Sequence, residues 1–263
     1  MPNLYRIIDR HVLVVTALAL AATWLCIRWG LRAELPFELI AIAVVFPTAF
    51  GIGAAHHRRE QALEAMANLR GTIVSIYYAH RDWPGGDRNC GPRAATLGVR
   101  LYAAVCRALD CPPGERCDAR LAASRAFSEL SESIEALKTA GVAGAETSRA
   151  NQFLNHGIRE FERLRAIAEY RTSDALRAYS KFFLNVLPVA FAPFYAHVAS
   201  ASAAGFGYAV AVAFAVVLVG LDNVQDGLEN PFDGIGPDDV RIHDDGELFW
   251  IDGATGDTGG GQA

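Results

Sequence analysis

Four apolar runs, nearly free of charge, constrain this sequence more than any other feature. They are Val12 to Ile27, extended by Trp29; Phe37 to Ala55, with Glu38 at its start; Phe182 to Ala204; and Gly205 to Leu221. A membrane-crossing helix needs about 20 predominantly apolar residues. Each run is near that length, and a water-soluble helical core rarely supplies four of them together. The third is interrupted by Asn185, Pro188, Pro193 and His197. The chain has 263 residues, 52% of them hydrophobic, and a mean hydropathy of +0.17. That is too apolar for an ordinary soluble domain and too polar for a chain buried wholly in lipid, so a mixed membrane and aqueous protein is expected. Arg6 and Arg10 precede the first run as in a secretory signal. No small-residue cleavage site follows, and a second apolar run comes soon after, so a membrane hairpin is the better reading.

The connections set the topology. Arg28 to Pro36 is short, and Ser200 to Ala204 is shorter and uncharged. His56 to Lys181 is long and carries most of the 24 Lys and Arg. Arg58, Arg59, Arg171, Arg177 and Lys181 all flank the runs on this long connection, and charges near span ends count most for orientation. Both termini and the long connection are therefore expected in the cytosol.

The long connection is patterned as helices. Leu63, Met66, Leu69, Ile73, Ile76 and Tyr77 recur at helical spacing, until "WPGGDRNCGP" breaks the pattern. "AATLGVRLYAAVCRAL" forms a second helix, and "DARLAASRAFSELSESIEALKTAG" a third, closed by Gly141. Ser148 to Tyr170 forms a fourth, with Phe153, Leu154, Ile158, Phe161, Leu164 and Ile167 on its apolar face. These stripes are the seams of a helical bundle.

Enzymatic motifs are missing. The sequence has no nucleotide-binding loop, no His-Glu-x-x-His and no nucleophile elbow. A net charge of -5 without a basic stripe argues against nucleic acid as a partner. Cys90, Cys106, Cys111 and Cys117 share a polar region, where plain reduced thiols are expected. "CPPGERC" does not have zinc-finger spacing. His56 and His57 are adjacent on a helix, so they do not share a face and make a poor metal pair. No pairing of polar residues is visible within the runs, which argues against proton-coupled transport and intramembrane catalysis.

Three features together resemble the bestrophin family of pentameric ion channels. One is "RAYSKFFLNVLPVAFAPF", similar to that family's Ala-Tyr-Ser helix start (Ala178, Tyr179, Ser180) leading into a Leu-Pro span. Another is Glu229, Asn230, Pro231 and Phe232, then Asp238 and Asp239, just after the last run. The third is the order of elements. Two departures mark a divergent branch: "REQALEAM" stands where the family has Arg-Trp-Trp, and "NPFDGIG" replaces "NPFG". The resemblance implies an all-α membrane protein. Four transmembrane helices per subunit would be continuous with a cytosolic helical bundle, in a homopentamer around a central pore. Its divisions are residues 1–55, a first hairpin with the pore helix; 56–178, the cytosolic helices; 179–221, a second hairpin; 222–245, an acidic segment; and 246–263, a disordered Gly-rich tail. Its function would be passive passage of small ions, with chloride and bicarbonate as first candidates and no chemical step. Membrane lipid and further copies of the chain would be its partners. A membrane-anchored scaffold whose cytosolic bundle binds a partner is the rival reading.

Two sites follow. In the second run Phe46, Phe50 and Ala54 fall four residues apart on one helix face, Pro47 bends the helix, and Gly51 and Gly53 permit close packing. From spacing alone this face either packs on neighbouring spans or lines a pore. The resemblance implies the pore: rings of Phe46 and Phe50 with Ala54 as a smaller third layer. Aromatic edges are electropositive and tolerate anions, and an apolar constriction can gate by dewetting. The acidic segment has two readings of equal standing. One is a calcium clasp of Asn230, Asp233, Asp238 and Asp239, calcium being an oxygen-seeking ion. The other is a docking segment in which Asn230 caps a turn and Phe232 anchors the chain beside the pore helices. No cofactor is required on either reading, calcium being the one candidate.

Overall fold

The computed structural model describes residues 9–34, 37–85, 90–112, 114–170, 174–201, 204–229, 231–232, 234, 239–240 and 242. Among these the secondary structure is helical: α1 (Arg10–Trp29), α2 (Phe37–Asp82), α3 (Cys90–Asp110), α4 (Arg116–Thr139), α5 (Gly144–Glu169), α6 (Asp174–Ala190), α7 (Ala192–Ala201) and α8 (Ala204–Glu229). The chain divides into two compact units. One comprises residues 1–58, 171–230 and 235–238; the other comprises 59–170, 231–234 and 239–263.

The first unit is the apolar one. Three helical stretches among the described residues are long and apolar enough to cross a membrane: Arg10–Trp29, Arg177–Ala201 and Gly205–Leu228. The sequence led us to expect a fourth span, Phe37 to Ala55. It forms the first part of α2, and most of its side chains lie outside the described set. The local sequence explains how these helices begin and end. Asp9 caps α1, its carboxylate accepting the Arg10 N–H at 2.6 Å. Gly30 ends α1 at φ 68, and the Leu31 N–H reaches back to the Cys26 carbonyl at 2.9 Å. A side chain is strained in that left-handed region, so glycine suits the position. The third apolar run is two helices, α6 and α7, separated at Phe191. Pro188 lies within α6 and Pro193 in the first turn of α7, where a missing N–H costs little.

Helix α8 packs against α1, α6 and α7. The approach of α8 to α7 is very close. A Cβ added at Gly207 would lie 2.5 Å from the Tyr195 carbonyl oxygen and 2.6 Å from the Ala199 Cβ. Small residues allow such backbone proximity, which gains dispersion energy where lipid leaves little hydrophobic drive between helices.

The second unit has a conventional core. Met66, Leu69, Ile73 and Ile76 from α2 join Leu101 and Val105 of α3, Leu130 and Ile134 of α4, and Leu154, Phe161 and Leu164 of α5. The stripes expected on α2 and α5 are therefore core, with one correction: Ile158 is 38% exposed. Gly157 holds the buried position beside it, where a Cβ would sit 3.0 Å from Thr72, so the turn faces the core through glycine and leaves Ile158 outside. Gly141 closes α4 as expected, at φ 84, with N–H bonds from Gly141 to the Lys138 carbonyl and from Val142 to the Leu137 carbonyl, both 3.1 Å.

Candidate functional site

The stripe marked out by Phe46, Phe50 and Ala54 is solvent-accessible in the single chain. Phe46 is 62% and Phe50 63% exposed, unusual for such large apolar side chains. Their rings meet edge to face, with centroids 5.0 Å apart. Ala54 is also exposed. The side chain of Pro47 lies outside the described set.

The opposite face of the same helix is closed. Thr48 and Ala55 are each 2% exposed, and Gly51 is buried. A Cβ at Gly51 would stand 3.1 Å from Nε2 of Gln225 on α8, so α2 presses its Thr48, Gly51 and Ala55 face toward α8. The sequence left open which side of this segment packs within the chain. The small and polar side packs, and the aromatic side does not.

A second feature of this unit was not legible in the sequence. No pairing of polar residues was expected within the apolar runs; Asn185 of the third run, on α6, joins three elements through partners that lie just outside the runs. Its Oδ1 lies 2.6 Å from Nε2 of His11 on α1, and its Nδ2 donates to Asp222 Oδ2 on α8 at 2.8 Å and to the Lys181 carbonyl at 2.7 Å. One turn away Lys181 Nζ donates to Asp226 Oδ2 at 2.8 Å. Asp222 is only 4% exposed. These partners lie up to 174 positions apart in the chain, so local periodicity carries no sign of them. The only available hint was that Asn185 interrupts an apolar run.

Helix α8 continues to Glu229, so Asp222 and Asp226 at the start of the acidic segment are helical. Beyond it, Phe232 is 1% exposed and belongs to the core of the second unit, together with Val240 and Ile242. The Val240 N–H donates to the Pro231 carbonyl at 2.8 Å, closing a compact loop. Asp239 is half-buried. The other expected calcium ligands, Asn230, Asp233 and Asp238, lie outside the described residues, as does the expected disordered tail.

No family model matches the chain, and no curated protein matches it. Solved structures do. A bacterial bestrophin homologue from Klebsiella pneumoniae aligns with a TM-score of 0.78 at 14% identity, over 92% of this chain and 97% of that one. A point variant of that homologue aligns at 0.76 and 15% identity, over 99% and 100%. A structure described only as a membrane protein aligns at 0.77 and 16% identity, over 96% and 98%. The chain therefore has a bestrophin-like fold, with the sequence divergence anticipated from its altered motifs. With its three long apolar helices, it is an integral membrane protein.

Proposed function

We propose that this chain is one subunit of a bestrophin-like ion channel, a homopentamer that passes chloride and other small anions, bicarbonate among them, down their gradients. The observation that carries the reading is the two-faced α2 segment. Its Thr48, Gly51 and Ala55 side is buried within the chain, while Phe46 and Phe50 are left uncovered on the other. In a symmetric ring of copies, Phe46, Pro47, Phe50 and Ala54 face the axis and form an apolar neck. Such a neck needs no chemical step. It excludes water when narrow and offers the positive edges of aromatic rings to an anion. The termini and the polar unit lie on the cytosolic side, following the basic residues that flank the long connection.

Burial of Phe232 favours the docking reading of the acidic segment over the calcium clasp. Fully burying one such side chain contributes about 1.5–3 kcal/mol, enough to hold the chain after α8 without a metal ion.

The test is ion flux from purified protein in liposomes, under chloride and sodium gradients, comparing the wild type with Phe50→Ala. Anion-selective flux that changes in the variant supports the neck. A monodisperse oligomer with no flux under any gradient overturns the channel reading in favour of a membrane-anchored scaffold.

A further inference from the structure

Phe46, Phe50 and Ala54 do not end the exposed stripe of α2. At about 100° per residue, His57 projects about 20° from the direction of Phe46, between Phe46 and Phe50 and so within the arc that runs from Phe46 to Ala54. It is exposed, as they are. His56 is exposed too, but projects about 80° to the other side of Phe46. Arg58 is half-buried and turns about 120° away, toward the closed face of Thr48, Gly51 and Ala55. Of the three polar residues that end this segment, His57 alone continues the aromatic stripe.

We infer that His57 is the residue that sets the charge preference of the pore at the inner mouth of the neck, by presenting imidazole N–H donors to permeant anions. This rests on the channel reading above and goes beyond it: the ring edges of the neck tolerate an anion, but phenyl rings and an alanine carry no formal charge, so a further group is needed to set the sign firmly. Sign selectivity in pores comes from rings of charged or polar groups aimed at the path. The first such group that α2 places after the neck is an imidazole. It always has at least one N–H to donate and has two when protonated, whereas a carboxylate in its place would only accept. A ring of identical subunits repeats that donor around the axis. The ligand class is therefore a small, partly dehydrated anion.

Reversal potentials across planar bilayers in asymmetric sodium chloride test the inference, for the wild type, His57→Ala, His57→Glu and His56→Ala. We expect the chloride-to-sodium permeability ratio to fall several-fold in His57→Ala and to fall further, toward cation preference, in His57→Glu. His56→Ala should match the wild type. Thermal midpoints of the purified variants, read beside the permeability ratios, separate a selectivity effect from a folding defect. A conducting wild type whose ratio is unchanged in both His57 variants overturns the inference and leaves the channel reading standing. An equal change in His56→Ala also overturns it, since stripe position would then not matter. A wild type that never conducts overturns both.

Discussion

Asn185 donates from Nδ2 to Oδ2 of Asp222 at 2.8 Å, joining α6 to α8 where both run among apolar helices. The same side chain holds Nε2 of His11 at 2.6 Å through its Oδ1. A carboxylate 4% exposed needs such donors, because removing one partner from a buried charge costs more than the bond itself was worth. Asn185→Ala should therefore lower stability by about 1.5–3 kcal/mol. His11→Ala should cost less, since that bond is exposed. Thermal unfolding of detergent-purified protein checks both, and a larger shift for His11→Ala would contradict the arrangement.

Gly207 and Gly205 make a matched pair. A methyl group at Gly207 meets the Tyr195 carbonyl at 2.5 Å, while at Gly205 nothing lies within 4 Å. Backbone atoms cannot yield as side-chain ends do, so Gly207→Ala should destabilise the α7 and α8 pair by about 1–3 kcal/mol. Gly205→Ala should be neutral or slightly stabilising. Melting temperatures of the two single variants decide the matter.

Phe232→Ala should cost about 3–5 kcal/mol, as expected for deleting a fully buried phenyl ring. The docking reading adds that a chelator should leave the melting temperature of the wild type unchanged. If the segment were a calcium clasp, chelation would lower that temperature, and added calcium would restore it by mass action.

His80 gives the second unit a pH dependence. It is 3% exposed, with Nδ1 2.9 Å from the Ile76 carbonyl. Burial, helped by the nearby Arg93 charge, lowers its pKa below the usual 6.5, against the opposing pull of the Ile76 and Ser133 carbonyls. The unfolded chain therefore takes up a proton that the folded one resists. Stability should be level above about pH 6.5 and decline as pH falls through that value. In His80→Gln the decline between pH 6.5 and 5 should flatten, as read from melting temperature against pH. An unchanged slope would assign the effect to other groups.

Phe50→Ala should hardly alter folding. The ring is 63% exposed and meets the Phe46 ring edge to face, a pairing worth about 0.5–1.5 kcal/mol. Gly51→Leu, one residue along but facing Gln225, should destabilise markedly. Equal melting-temperature losses for the two would mean that both faces of α2 are packed within the chain.

The sequence by itself determined what rests on near neighbours in the chain. Periodicity placed the helices and the core stripe from Met66 to Ile76, and Gly141 marked the end of α4, because each depends on residues within one or two turns. Length and hydropathy marked out the apolar runs for the same reason. Only the tertiary structure decided what those helices do to one another. It turned Ile158 outward because Gly157 takes the buried place, and it drew Phe232 into the core of Met66 and Leu69. It paired Asn185 with Asp222, 37 positions away. It also left Phe46 and Phe50 uncovered by burying the face of Thr48 and Gly51 instead. Helical spacing says which residues share a face. Which face is buried depends on what the rest of the chain brings against it, and for α2 that partner is Gln225, far along the chain on α8.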